Sequence, residues 1–294
     1  MRLPNTIFAL LTAIFSAVSL ADTQLEMSVT PFATPKFDFD KGGQASLKNI
    51  QANFSLSHNI YPQHNLGFNI QLARESWSFD SNPWKVAQPW QTLERISFSL
   101  PYRYTTSSGW IFAASADLSQ NKEKGAENSD SWLYGLNTYM AHSFSPDLLL
   151  GFGVGAYHQL DKTTGFPFII IDWKITKDLR LANPFAVGPA GPAGLELSWG
   201  VTPQFDLGVG GAMRHFQYRL AADNAVASKG ILEQQYVPIF IRAGYKIQDN
   251  WRVDAYTGVA AGGKFTFMDK NGNELNSEKA KKMPFFGLSA NARF

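Results

Sequence analysis

The chain has 294 residues, 45% of them hydrophobic and 14% aromatic, with a formal net charge of +2 and no cysteine. A balance this close to neutral excludes the basic footprint of a nucleic-acid binder, and the missing cysteines exclude a disulfide scaffold or a thiol site. The mean hydropathy is only slightly negative, which is the average of strands with one oily and one wet face.

The first element in chain order is a leader. "MRLPNTIFALLTAIFSAVSLA" has one basic residue, Arg2, an apolar run from Ile7 to Val18, and small residues at Ser19 and Ala21, the −3 and −1 places of a cleavage site. This predicts a secretory signal peptide over 1–21 and a mature chain over 22–294. Beyond residue 21 no apolar run approaches the roughly 20 residues of a membrane helix.

Period-two alternation then begins and does not stop, and that period means β-strand. "TQLEMSVTPF" at 23–32 supplies a first strand, followed by an outer loop at 33–44. "NIQANFSLS" sets Ile50, Ala52, Phe54 and Leu56 on one face, and "RISFSLPYRY" sets Ile96, Phe98, Leu100 and Tyr102 against Arg95, Ser97, Ser99 and Arg103. "VPIFIRAGYKI" sets Ile239, Ile241 and Ala243 against Arg242, Gly244 and Lys246. Further strands are predicted near 45–57, 65–79, 92–104, 110–119, 132–144, 148–158, 166–175, 179–183, 194–201, 205–219, 235–247, 250–266 and 285–294, fourteen with the first. Twelve is the alternative, if 179–183 and 23–32 are not strands.

The connections alternate in length. Short ones near 59–64, 105–109, 145–147, 176–178, 202–204 and 248–250 separate long polar or Gly/Pro-rich ones at 80–91, 120–131, 159–165, 182–193, 221–234 and 268–284. Short periplasmic turns and longer outside loops belong to a transmembrane antiparallel up-and-down β-barrel of the Gram-negative outer membrane. Tyr61, Tyr102, Tyr104, Phe144, Tyr245 and Trp251 fall beside the short turns, where an interfacial aromatic girdle belongs. The chain ends in "PFFGLSANARF", with Phe286, Leu288, Ala290, Ala292 and Phe294 on one face. That strand must close against the first, because an open edge is not tolerated in lipid. Phe286, Leu288 and Phe294 also resemble the C-terminal signal read by the outer-membrane assembly machinery.

"LANPFAVGPAGPAGLELSWGVTPQFDLGVGGAMRHFQYRL" and "VPIFIRAGYKIQDNWRVDAYTGVAAGGKF" resemble an uncharacterised family of proteobacterial envelope proteins with a domain of unknown function. The resemblance implies an outer-membrane barrel and brings no catalytic residues.

No enzyme is expected. His142 and Ser143 are adjacent and so face opposite ways, which forbids a Ser–His pair within the strand. His158 with Asp161, and His215 with Asp223, are loose pairs only. "MDKNGNELN" places Gly272 fourth rather than sixth from Asp269, so it reads as a tight turn and not a calcium loop. No cofactor or metal is expected.

If the apolar faces meet lipid, Glu75, Arg95, Arg103, Asp172, Lys174, Glu196, Arg214, Arg242, Arg252 and Asp254 line the lumen, since each charge facing lipid at mid-depth would cost about 2–4 kcal/mol. Together they give the lumen a modest cationic bias, and Arg214, Arg242 and Asp254 are expected in one inward-facing patch, with Asp254 offsetting part of the arginine charge. Fourteen strands enclose more space than side chains fill, so the expected function is a passive channel or carrier for a small solute. The alternative is a plugged barrel with a structural or interaction role. Trp77, Trp84 and Trp90 either hold a sugar or apolar ligand or pack on one another, and "NPFAVGPAGPAG" is either an inward constriction or an external loop. Lys279, Lys281 and Lys282 could meet lipopolysaccharide, the other expected partner being outer-membrane lipid itself; the sequence leaves the oligomeric state open.

Overall fold

Alternation becomes strand along the whole chain in the computed structural model, which describes residues 22–183 and 194–294. The predicted signal peptide lies outside the described residues, as does most of the stretch "NPFAVGPAGPAG". The strands are β1 (Thr23–Asp38), β2 (Gln44–Tyr61), β3 (His64–Ser81), β4 (Thr92–Thr105), β5 (Trp110–Glu123), β6 (Trp132–Ser145), β7 (Leu148–His158) and β8 (Thr163–Lys174). They continue as β9 (Leu179–Ala182), β10 (Gly194–Gly200), β11 (Phe205–Ala212), β12 (Arg214–Arg219), β13 (Ile231–Gln248), β14 (Trp251–Met268), β15 (Glu274–Lys279) and β16 (Met283–Arg293). From β1 to β11 each pairs antiparallel with the next, β11 and β12 pair with β13, β13 with β14, β14 with β15 and β16, and β1 with β16.

Two staves are interrupted. β11 and β12 share one register on β13, broken at Met213; Pro238, on the facing stretch of β13, has no N–H to give. β15 and β16 both pair with β14 and are broken at 280–282. With each interrupted pair counted as one stave, the wall is a closed antiparallel barrel of fourteen. The seam is tight at its lower end, where Leu25 and Phe294 exchange backbone hydrogen bonds of 2.8 Å in both directions. Closure leaves no strand edge for lipid to meet.

The strands overrun the predicted ones at the outer end. β1 reaches Asp38, β5 reaches Glu123, and β13 starts at Ile231. β15 lies inside the expected loop 268–284, and its sequence, ELNSEK, is mostly polar. The Asn271–Gly272 turn forms as expected, with Gly272 at φ +88°.

The two faces separate as the alternation dictates. Ile241 is 60% exposed on the outside and its neighbour Arg242 only 7% exposed on the inside. Leu66, Leu72, Leu100, Leu136, Phe152, Val209, Phe286 and Leu288 are likewise exposed outward.

In the outer half the barrel changes girth. β12 leaves the wall and crosses to β5, pairing parallel at Arg219 and Lys122. Asn121 Nδ2 donates to the Gln217 carbonyl (3.1 Å), and the Ala221 amide donates to Glu123 Oε2 (2.9 Å). Above this crossing β12, β13, β14, β15, β1, β2, β3, β4 and β5 form a smaller ring of nine among the described strands, closed between β15 and β1 by the Phe39–Ala280 bridge and the Asp40 amide on the Lys279 carbonyl (2.9 Å). An odd ring of antiparallel neighbours must close on one parallel pair, as it does here. A ring of about eight strands is just narrow enough for side chains to fill, and this one is filled. Phe37, Phe39, Trp77, Trp90, Tyr218, Leu232, Phe265, Phe267 and Phe285 are all buried within it.

Candidate functional site

The lumen falls into a charged lower wall, an aromatic plug, and a small opening beside the plug. The lower wall is centred on Arg242 of β13. Its Nη1 binds Asp254 Oδ1 (2.9 Å), and its Nη2 binds Glu196 Oε1 (2.5 Å) and Asp206 Oδ2 (2.7 Å). Arg252 joins Asp206 (2.6 Å) and Asp254 (2.8 Å), and Asn291 Nδ2 donates to Asp254 Oδ2 (3.0 Å). The guanidiniums lie flat because the wall beneath them is glycine: a Cβ on Gly244 would collide with both, and one on Gly208 would stand 2.6 Å from Glu196 Oε1. Two guanidiniums face three carboxylates, so this patch is itself net acidic.

The expected patch of Arg214, Arg242 and Asp254 is corrected by the register. Arg214 stands opposite Tyr236 and Arg242 opposite Gly208, six residues apart along β13, or about 20 Å. Arg214 shares the upper lumen with Arg95 and Tyr236. Arg95 stacks over the Phe216 ring at 4.3 Å, and its Nε and Nη1 are buried without a partner. Glu75 accepts from Trp77 Nε1 (3.0 Å), Tyr218 OH (3.1 Å) and Gln234 Nε2 (3.4 Å), so it anchors the base of the plug. Asp172 is held by Arg180 in two hydrogen bonds of 2.6 Å. Arg103 is exposed on β4 near Tyr139.

Sequence reasoning missed Asp206, Arg180, Asp117 and Gln217. Asp206 and Arg180 stand beside short turns, where the alternation is too brief to assign a face. Parity alone would have placed Asp117, which faces inward opposite Gly135.

Trp77, Trp84 and Trp90 pack on one another and on Phe39, Phe265 and Phe267, with ring centroids 5.1–5.6 Å apart in the contacts Trp77–Trp90, Trp84–Trp90, Phe39–Trp84, Trp84–Phe267 and Trp90–Phe265. They are the plug, and no sugar-sized gap separates them.

Beside the plug, Gln217 of β12 closes what remains. Its Oε1 accepts from the Leu160 amide (3.1 Å), and its Nε2 donates to Asp161 Oδ1 (3.0 Å) and Glu233 Oε2 (3.1 Å). The 159–162 connection thus lies over the mouth as a strap, reaching far enough that a Cβ on Gly272 would stand 2.6 Å from that of Asp161. Below it the wall is aromatic. Phe166 and Phe168 lie over Gly155 and Gly153, and Tyr157 stacks on Phe166 with centroids 5.9 Å apart. Tyr157 OH donates to Asp117 Oδ2 (2.9 Å). Phe166 remains 41% exposed to the interior. Among the described residues no group of His, Asp and Glu is arranged to hold a metal ion.

Solved structures share this architecture. An outer-membrane channel from Pseudomonas putida F1 matches over 93% of this chain and 95% of its own, at 9% identity and a TM-score of 0.52. The toluene transporter TodX of P. putida matches over 93% and 90%, at 8% identity and a TM-score of 0.44. The KdgM porin matches over 91% and 99%, at 9% identity and a TM-score of 0.37. At such identities the likeness is one of fold, and the first of these carries it: the chain has the fold of a bacterial outer-membrane β-barrel. No curated protein matches the chain. Residues 38–294 match the domain of unknown function DUF6268, and the chain belongs to that family.

Proposed function

We propose that the protein sits in the outer membrane of a Gram-negative bacterium as a passive channel for a small solute, without enzymatic activity, and that it is closed at rest. The observation that carries the reading is the unequal cost of its two closures. Opening the nine-strand ring would expose the buried aromatic side chains, each worth about 1.5–3 kcal/mol of burial. Undocking the strap from Gln217 breaks two hydrogen bonds, to the Leu160 amide and to Asp161 Oδ1, each worth about 1 kcal/mol net. The path therefore runs beside the plug, past Gln217 and along Tyr157, Phe166 and Phe168. A small apolar or aromatic solute suits that wall better than an ion does.

The buried plug favours a second reading, a barrel sealed for good that serves as a structural or interaction surface. Solute flux into proteoliposomes separates the two. For the channel, wild-type barrels pass a small aromatic solute slowly and Gln217→Ala raises the flux severalfold. Trp90→Ala lowers stability by about 3–5 kcal/mol without a comparable gain in flux. If neither wild type nor Gln217→Ala passes any solute, the sealed barrel stands and the channel falls.

A further inference from the structure

The outer wall carries a feature that neither the lumen nor the seam explains. Lys264 of β14 and Lys279 of β15 are directly opposite each other in the ladder. Both point outward, since their neighbours Phe265 and Glu278 are buried on the inner side. Like charges facing each other across a pair of strands are destabilising. No described residue forms a hydrogen bond or ion pair with either ammonium. Of the acids near the pair, Glu278 turns in to Lys41 (3.1 Å) and Asp38 faces Lys281 (4.0 Å), and Asp40, whose amide donates to the Lys279 carbonyl (2.9 Å), forms no ion pair with either lysine among the described residues.

Their height is informative. Along β14 the outward residues run Trp251, Val253, Ala255, Thr257, Val259 and Ala261. At about 3.3 Å per residue and a tilt of about 40°, Trp251 to Ala261 spans about 25 Å along the barrel axis, the height of the apolar band of such barrels. Lys264 is about 7 Å higher by the same arithmetic. The pair therefore stands at the level of the outer headgroups, just past the hydrocarbon.

We propose that Lys264 and Lys279 form a binding site for the phosphate groups of a phosphorylated glycolipid in the outer leaflet, of the lipopolysaccharide type. An anion between the two ammoniums removes the repulsion the fold otherwise leaves in place. The outward apolar residues below, Val259 and Ala261, meet the acyl chains of the same molecule. The proposal rests on the outer-membrane reading of the barrel.

The test uses the full mature chain refolded in detergent, titrated with purified lipopolysaccharide bearing its lipid phosphates and with the same lipid after their enzymatic removal. Wild type should bind the phosphorylated form more tightly. Lys264→Ala/Lys279→Ala should bind it about thirtyfold more weakly, from two charges worth about 1 kcal/mol each. A charge-matched control at the opposite end, Lys177→Ala/Lys246→Ala, should bind as wild type does. Equal binding by wild type and the Lys264/Lys279 variant overturns the site, as does equal weakening in the control or indifference to the phosphates. Membrane fractionation of wild type is scored separately. A chain that fails to reach the outer membrane defeats the outer-membrane reading, whereas one that reaches it with no phosphate-dependent binding defeats only the proposal.

Discussion

Arg242→Met is the sharpest probe of the lumen wall. Methionine keeps the stem of the side chain and removes the guanidinium. Glu196 then loses its ion-pair partner, while Asp206 and Asp254 keep Arg252. Breaking a buried pair by deleting one member costs about 3–5 kcal/mol, because the other charge stays buried and unpaired. Arg252 remains to offset two of the three carboxylates, so the expected loss is at the lower end, about 3 kcal/mol. Arg242→Met/Glu196→Met removes both partners and should recover at least half of that, since a buried pair and its apolar replacement are often near parity. The four proteins of the cycle would be compared by urea unfolding in lipid vesicles, read by tryptophan fluorescence and by heat-modifiable migration on gels. A coupling energy between positions 196 and 242 below about 0.5 kcal/mol is the level expected of independent sites, and it would refute the claim that Arg242 is held by its carboxylates. The same geometry says that Arg242→Glu would place four carboxylates against Arg252, so it should destabilise the wall before it alters any ion preference.

Ile241→Arg, one residue away and on the lipid side, should cost about 2–4 kcal/mol of membrane stability; insertion equal to wild type would reverse the assignment of faces. Deletion of Phe294 removes both backbone hydrogen bonds to Leu25 and the Trp251–Phe294 ring contact, so assembled barrel should fall and degraded periplasmic material should rise in fractionated cells. Gly272→Ala forces an L side chain to φ +88° and sets its Cβ against Asp161. It should cost about 1 kcal/mol and raise solute flux in proteoliposomes by loosening the strap, and a barrel of unchanged stability and flux would show that the strap does not rest on this turn.

Alternation made the wall legible because lipid enforces it. Wherever the barrel meets hydrocarbon, a residue such as Ile241 must be oily and its neighbour Arg242 must find the interior, and the period survives to be read. The short turns are legible for the same reason, since the strands end where the lipid does. Above the hydrocarbon that pressure ends, which is why polar β15 reads as loop and why the inward faces of β3 and β14 carry Trp77, Phe79, Phe265 and Phe267 where a water-filled lumen would have polar groups. The change of polarity on the inner face is itself a sequence signal: an apolar inward face means that something on the other side is close enough to pack against it.

That signal leads to the one feature the strand pattern could not contain. A strand count gives the girth of a barrel only if every strand stays in the wall. β12 keeps its register on β13 and yet gives its other edge to β5, a partner from a distant part of the chain that no local pattern names. The consequence for function is geometric. Fourteen staves form the base and nine the top, so on the channel reading the crossing turns a wide pore into a vestibule with one side exit. The charged side chains of the wall below are bound up in their own ion pairs over Gly208 and Gly244. On that reading the step that decides whether a solute passes is concentrated in the two hydrogen bonds between Gln217 and the strap, where a single side chain can be changed while the plug and the wall stay intact.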